Sequence, residues 1–198
     1  MKPMKDKKEK QVSEVPVFIE GKIISFIPQN SEYISLYAKW MNNPIVRKYA
    51  RWEMPRRIED FKRWFEPREG WQGFIGFDIW HNKDKKPIGQ VGLVWIDWVN
   101  GWANAFLFIG EPEYWGKNIA TEATELLIEY AFNELNLNKL HGGICVENIG
   151  SWSVAEKLGF EFEGMRDQDF YLDGKYLGVK TYCLLKEDWL KRNKKTQE

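Results

Sequence analysis

The stretch Tyr114-Trp115-Gly116-Lys117-Asn118-Ile119-Ala120-Thr121 has the make-up of an anion-binding turn. It follows an apolar run, Trp102–Ile109, and precedes Ala120, Ala123, Leu127, Tyr130 and Ala131, whose spacing predicts an amphipathic helix to about Leu135. The first N–H groups of a helix lack intrahelical partners and carry the positive end of its dipole, so a phosphate fits there. The Gly-x-x-x-x-Gly-Lys-Ser/Thr spacing of the nucleotide-hydrolase phosphate loop is absent. Other groups with chemical potential are scattered. Cys145 and Cys183 stand alone in apolar runs, without metal-ligand spacing, and read as buried thiols of a reducing cytoplasm. His141 lies in a predicted strand and reads as structural.

Length and charge narrow the function classes. A chain of 198 residues suits one domain with a single sizeable core. Lys plus Arg and Asp plus Glu number 29 each, so no overall field draws it to nucleic acid or membrane. No run approaches the ~18 continuous apolar residues of a membrane span, and the Lys-rich start lacks the apolar stretch of a signal peptide. A cytoplasmic protein is expected. Residues 1–15 read as a flexible Lys-rich tail, 16–190 as the folded domain and 191–198 as a charged C-terminal tail. Core filling accounts for most of the eleven tryptophans, and a few suit an aromatic acceptor pocket.

The elements that must position the turn follow from periodicity. Phe18–Ile27 reads as a strand broken at Gly21, and Ser31 as the N-cap of a helix over Glu32–Met41 that Asn42-Asn43-Pro44 ends. A second helix over Ile58–Phe65 carries Phe61, Trp64 and Phe65 at helical spacing. Between these helices the Arg47–Arg57 segment, rich in Arg, Trp and Tyr, is the candidate rim of an acceptor site. Phe74–Trp80, Ile88–Trp98 and Trp102–Ile109 form a meander. Its last turn, Asn100-Gly101, suits type I′, in which both central positions need φ > 0. Then come a strand over Leu140–Val146, a short helix over Ser151–Leu158, and a hairpin of Glu161–Leu172 with Tyr176–Leu185 through Asp173-Gly174. A tail helix over Glu187–Lys194 closes the chain. The order strand, helix, strand across 102–146 requires a parallel pair with a right-handed crossover. The fold class is α/β of the α+β kind: a mixed, mostly antiparallel central sheet with one parallel step, flanked by helices. Ligands of such sheets bind beyond the C-terminal strand ends, which puts the site where Ile109 gives way to the 110–120 turn.

Four pieces then stand in a telling order: Tyr114–Ala123; Asn148-Ile149-Gly150-Ser151 followed by Glu156-Lys157-Leu158-Gly159-Phe160; Glu163-Gly164-Met165-Arg166; and Tyr171-Leu172-Asp173-Gly174. Their order and spacing resemble the GNAT superfamily of acetyl-CoA-dependent N-acetyltransferases, most closely its RimJ/RimL-like (ribosomal-protein N-acetyltransferase) branch, over about Gly21 to Trp189. The resemblance implies that the turn, here Trp115, Gly116, Lys117, Asn118, Ile119, Ala120 and Thr121, binds the coenzyme A pyrophosphate through its backbone. Phe108, Ile109 and Gly110 would pair with the pantetheine arm, a bulge there supplying an N–H to the thioester oxygen. Asn148 and Ser151 would line the thiol end, and Lys157 joins the cofactor-binding set. Acetyl-CoA and an amine acceptor are the implied partners, with no metal, no membrane and no nucleic acid; a homodimer is left open.

This chain departs from the family pattern at several positions. The turn's pattern is Arg/Gln-x-x-Gly-x-Gly/Ala, and Trp115 and Asn118 stand at its first two fixed positions. Asn is the non-glycine residue that best tolerates φ > 0, so Asn118 is expected to hold the same backbone shape. A Tyr general acid of many relatives falls at Ala155; RimL-like enzymes use the Ser equivalent to Ser151. Ser151 is therefore expected to protonate the departing thiolate beside Asn148, against the competing reading that it only caps a helix. A Glu base of some relatives falls at Phe170 and an Asp of the last strand at Gly178, leaving Asp169 and Glu111 as the nearest carboxylates and Asp169 as the catalytic candidate. An alkylamine with a pKa near ~10.4 needs more help from a base than an α-amine near ~8. A protein or peptide N-terminal α-amine is thus the favoured acceptor. The alternatives are a small amine (polyamine, amino sugar or antibiotic) and a non-catalytic acetyl-CoA-binding protein. Arg47, Arg51, Arg56 and Arg57 against Glu53 are expected to disfavour polycations.

Overall fold

The computed structural model describes residues 15–50, 52–65 and 73–195. Nearly all of the expected N-terminal tail, Arg51 and residues 196–198 lie outside them. The chain opens with strands β1 (Ile19–Glu20) and β2 (Ile24–Pro28), followed by helices α1 (Ile34–Asn42), α2 (Pro44–Arg47) and α3 (Ile58–Lys62). The meander is β3 (Phe74–His81), β4 (Lys86–Asp97) and β5 (Trp102–Ile109). Helix α4 (Ile119–Glu129) crosses to β6 (Lys139–Cys145), and α5 (Ile149–Lys157) leads to β7 (Glu161–Leu172), β8 (Lys175–Leu185) and α6 (Lys186–Lys195). All eight strands join one sheet in the order β1-β2-β3-β4-β5-β6-β8-β7. β5 and β6 are parallel and the other neighbouring pairs antiparallel, as the strand–helix–strand order requires. No helix of the described residues is long and apolar enough to cross a membrane.

Cross-strand partners share a face of the sheet. One face therefore carries Asp78, Gln90 and Phe108, and the other Phe77, Val91, Leu107, Ile79 and Ile109. The second face packs beneath α4, where Ala123, Leu127 and Tyr130 complete the main core. Tyr37, Trp40 and Phe61 of α1 and α3 build a second cluster over the first face, and Phe108 packs against it. The predicted helix to Leu135 is present, but its last turn, Tyr130–Glu134, is a π-helix in which Leu135 donates to the Tyr130 carbonyl at 3.1 Å. The wider turn lets three consecutive residues, Tyr130, Ala131 and Phe132, all be buried.

Local turn chemistry differs from expectation in two places. Asn30, not Ser31, starts the first helical turn, its side chain accepting from the Glu32 N–H at 2.9 Å; α1 follows from Ile34. The turn at Asn100-Gly101 is not type I′, because only Gly101 has positive φ there, at 67°. Asp97 organises a longer loop instead, accepting from Val99 and Asn100 N–H at 3.0 and 2.8 Å. At Asp173-Gly174, φ values of 49° and 83° match the expected hairpin turn.

Candidate active site

β5 and β6 pair only through Trp102↔Lys139, Ala103↔Leu140 and Asn104↔His141, although β5 runs on to Ile109 and β6 to Cys145. Beyond these pairs the strands part and open a cleft at the C-terminal ends of the one parallel pair. Gly110 donates to the Ile88 carbonyl at 2.8 Å, and β4 and β5 stay in unbroken register from Gly89↔Ile109 to Val94↔Asn104. Bonded and non-bonded pairs alternate in an antiparallel ladder. Phe108 and Phe106 therefore turn their backbone groups to β4, while Ile109, Leu107 and Ala105 turn theirs into the cleft. The bulge expected at Phe108–Gly110 is absent. The register shift lies instead between Val94 and Asp97, where Trp95 takes a φ of 52° and absorbs the extra residue at the far end of the strand. An unbroken strand edge thus faces the cleft.

The expected turn stands at the cleft's mouth. Gly116 has φ 72° and Asn118 φ 60°, so Asn118 does hold the left-handed shape usually left to glycine. Among the described residues, none of the backbone N–H groups from Gly116 to Thr121 donates to a protein acceptor; Glu122 is the first to do so, to Asn118 at 3.0 Å. Ile119 and Thr121 are buried, while Gly116, Lys117 and Asn118 are exposed. Lys117 and Lys86 lie 5.3 and 5.1 Å from the Tyr114 ring centroid. That ring is held by a hydroxyl bond to Asp84, which pushes the Tyr114 pKa up, and by the His81 edge at 4.8 Å. Trp115 donates its Nε1–H to the Ile109 carbonyl at 3.0 Å.

Around the strand end, close packing fixes identity. A Cβ on Gly110 would lie 2.3 Å from the Trp40 ring. Trp40 and Lys39 bond the Glu111 carboxylate at 2.9 and 2.8 Å. Partial burial pushes the Glu111 carboxyl up, but these two bonds outweigh it and hold the group below its ordinary range. Glu111 is therefore an anchor of α1 to the strand end, not a base.

The Arg47–Arg57 segment, the candidate acceptor rim, meets both the β5 strand end and the β7–β8 hairpin. Phe108 is flanked edge-on by Trp52 and Trp40, at 4.6 and 6.0 Å. Tyr49 packs among Cys145, Phe170, Leu172, Leu177 and Val179, and Lys48 lies 3.9 Å from Asp173 at the hairpin tip. In β7 three residues, 167–169, stand against Gly178 alone, with Gln168 at φ 53°. This bulge lets Asp169 pair with Arg166 at 3.1 Å. The Arg166 guanidinium lies 3.1 Å from where a Cβ on Gly143 would be, in the part of β6 that has left β5. Asp169 thus belongs to the cleft wall as partner of a cation.

Asn148 and Ser151 begin the helix after β6, at the same end of the sheet as the 116–121 turn. The helix starts at Ile149 with Asn148 as N-cap, so Ser151 lies inside the first turn and is not the cap. Lys157 sits at the other end of α5, more than a turn away, where its carbonyl accepts from Arg192 at 2.6 Å. His141 stands edge-on to Trp102 at 5.5 Å with its Nδ1 3.6 Å from Glu163, and burial, then Lys139, lowers its pKa. Cys145 and Cys183 are free thiols, buried and half-buried. Burial and the Glu163 carboxylate push the Cys183 thiol up to about 11.

Sequence reasoning missed a buried polar group on the acceptor-side face. Asp78 is fully buried, accepting from the Tyr37 hydroxyl at 2.6 Å and from Gln90 at 3.0 Å. Burial raises its pKa to about 6 against the opposing pull of those bonds. Its signal was an acid at an inward position of the alternating strand Phe77-Asp78-Ile79.

Residues 27–161 match the acetyltransferase (GNAT) domain, and the chain belongs to that family. It is 36% identical over 111 residues to the spermidine N(1)-acetyltransferase of Escherichia coli (strain K12), covering 56% of this chain and 59% of that protein. It is 37% identical over 106 residues to the putative ribosomal N-acetyltransferase YdaF of Bacillus subtilis (strain 168), covering 54% and 57%. The chain thus spans under two thirds of the length of the curated relatives it matches. Among solved structures, spermidine N-acetyltransferase from Vibrio cholerae in complex with CoA and spermine has a TM-score of 0.78 at 23% identity, over 86% of this chain and 99% of that one. A dodecameric structure of spermidine N-acetyltransferase from Vibrio cholerae gives 0.76 at 24%, over 87% and 99%. At these identities the likeness establishes the fold.

Proposed function

We propose that this chain transfers the acetyl group of acetyl-CoA to a primary amine, with a small amine of the polyamine kind as first acceptor to test. One observation carries the reading. A strand edge of cleft-facing backbone groups, at Ala105, Leu107 and Ile109, leads straight to a turn of N–H groups without protein acceptors at Gly116–Thr121. A long amide-bearing arm that ends in a diphosphate matches this series, and coenzyme A is such a molecule. When bound it supplies an acetyl thioester. The N–H groups of Gly116, Lys117, Asn118, Ile119, Ala120 and Thr121 hold the diphosphate, and the strand edge before Gly110 aligns the arm. The amine nitrogen bonds to the carbonyl carbon as the C–S bond breaks. The ammonium gives one proton to water before attack and the nitrogen sheds a second to water after it, while the Ser151 hydroxyl gives one to the thiolate and recovers it from solvent. Asn148 stands with Ser151 at the head of α5. Asp169, tied to Arg166 at 3.1 Å, is placed to orient an incoming ammonium.

Similarity to spermidine acetyltransferases supports a small amine at least as well as a protein N-terminus. The charge argument against polycations also weakens. Of the four arginines, Arg57 pairs with Asp60 at 3.2 Å and so presents less free charge than a count along the sequence gives. Trp52 is half-buried beside Phe108 at 4.6 Å, and an indole ring is the aromatic that best attracts an ammonium. An N-terminal α-amine remains the second reading, supported by the Lys39 and Trp40 bonds that hold the Glu111 carboxyl below its ordinary range and make it a poor base for a strongly basic amine. Thiol release from acetyl-CoA against spermidine, short peptides and aminoglycosides tests this. Spermidine is expected to lead. A peptide ahead of it would favour the second reading, and CoA binding without thiol release to any amine would sink transfer. Light scattering on the same sample tests for self-association, which the dodecameric fold neighbour motivates.

A further inference from the structure

Trp115 is where the diphosphate turn and the cleft's strand edge touch. Ile109 directs its backbone groups into the cleft, and its carbonyl is the outermost acceptor of the β5 edge. The indole N–H takes one of that carbonyl's two acceptor positions at 3.0 Å, while the residue stays 47% exposed, so burial does not account for its placement. We propose that Trp115 is a register latch: by competing for the Ile109 carbonyl it biases a bound arm to pair from the next acceptor inward, at Leu107. This role rests on the proposed use of coenzyme A. The two acceptors are two residues apart along the strand, about 6.8 Å. An arm donating to the Ile109 carbonyl would sit one repeat too far out, and its reacting end would stop short of the place the inner register reaches. The latch disfavours that choice. It needs only a side-chain N–H donor at position 115, a property shared by Arg and Gln, the residues of the turn pattern at this position.

The test uses the full chain. Trp115→Phe keeps the ring and loses the donor. A slipped register binds without reacting, so kcat and KM for acetyl-CoA should fall together, about five- to tenfold for one lost hydrogen bond, with kcat/KM nearly unchanged. CoA affinity by titration should tighten by a similar factor. Trp115→Gln and Trp115→Arg, which restore a donor, should restore kcat, and they carry the test if the Phe variant melts early. Independently of turnover, the Trp115 indole proton, assigned by its loss in the Phe variant, should exchange slowly with solvent both free and with CoA bound. Parental kcat and KM in the Phe variant would overturn the latch. So would a raised KM at unchanged kcat, which marks the ring as a binding contact, or fast indole exchange once CoA is added, which marks it as a gate. A parent chain that neither binds CoA nor releases thiol would refute the functional reading beneath it.

Discussion

Replacing Asn118 separates backbone shape from side-chain chemistry at the turn proposed to hold the diphosphate. Asn118 precedes α4 at φ 60° and ψ 6°, and its side chain makes no capping bond. It is also exposed, so changing it removes no packing. What changes is the cost of the left-handed conformation. That cost is roughly 1–2 kcal/mol for an ordinary L-residue, less for Asn, and absent for glycine. Asn118→Gly should therefore bind CoA at least as tightly as the parent. Asn118→Ala should lose about 1 kcal/mol, and Asn118→Val, with a branched Cβ, about 2 kcal/mol. If the turn relaxes in the free protein, these costs appear as roughly fivefold and thirtyfold weaker binding. If the fold holds the turn regardless, they appear as lost stability. Titration calorimetry with CoA and urea unfolding of the free protein, taken together, capture both routes. A Val variant with parental affinity and parental stability would refute the argument that the turn needs φ > 0 here. A Gly variant that binds tenfold weaker would refute it from the other side, by showing that the amide itself contacts the ligand.

Three further outcomes are expected. Ser151→Ala should lower kcat roughly ten- to a hundredfold at an unchanged melting temperature, since Asn148 rather than Ser151 occupies the N-cap; normal turnover would reject the general-acid role. Gly110→Ala puts a Cβ 2.3 Å from the Trp40 ring and should cost about 1–3 kcal/mol of unfolding free energy, so an unshifted urea midpoint would contradict the packing argument. Asp78 has a folded pKa raised by burial from 3.8 to about 6, so the folded state holds more protons than the unfolded one within that window. Stability should fall as pH rises from about 4 to 6, by about 3 kcal/mol for a shift of about two units, and stay low above it. Asp78→Asn should flatten that slope in urea titrations at successive pH values; a slope that persists would place the proton elsewhere.

Some of this was determined by sequence alone, because it depends on neighbours along the chain. The apolar run 102–109, the turn at Gly116 and Asn118, and the helical spacing after Ala120 are local patterns, and strand–helix–strand order forces a parallel β5–β6 pair. Asn118 could be assigned φ > 0 from its residue type, and the family followed from four short motifs in order. Other features needed residues far apart to be brought together. Ser151 could not be told from a cap without knowing that the helix begins at Ile149. The cleft exists because β5 and β6 part after three pairs, and no pattern within either strand records where its neighbour leaves it. Asp169 meets the cleft wall only through a bulge opposite Gly178 and an Arg166 side chain laid over Gly143. Trp115 looked like a departure from a motif until its indole was found on the Ile109 carbonyl. Helix and strand periods are set by covalent geometry repeated at every residue, whereas hydrogen-bond partners across a sheet are set by where the whole chain packs.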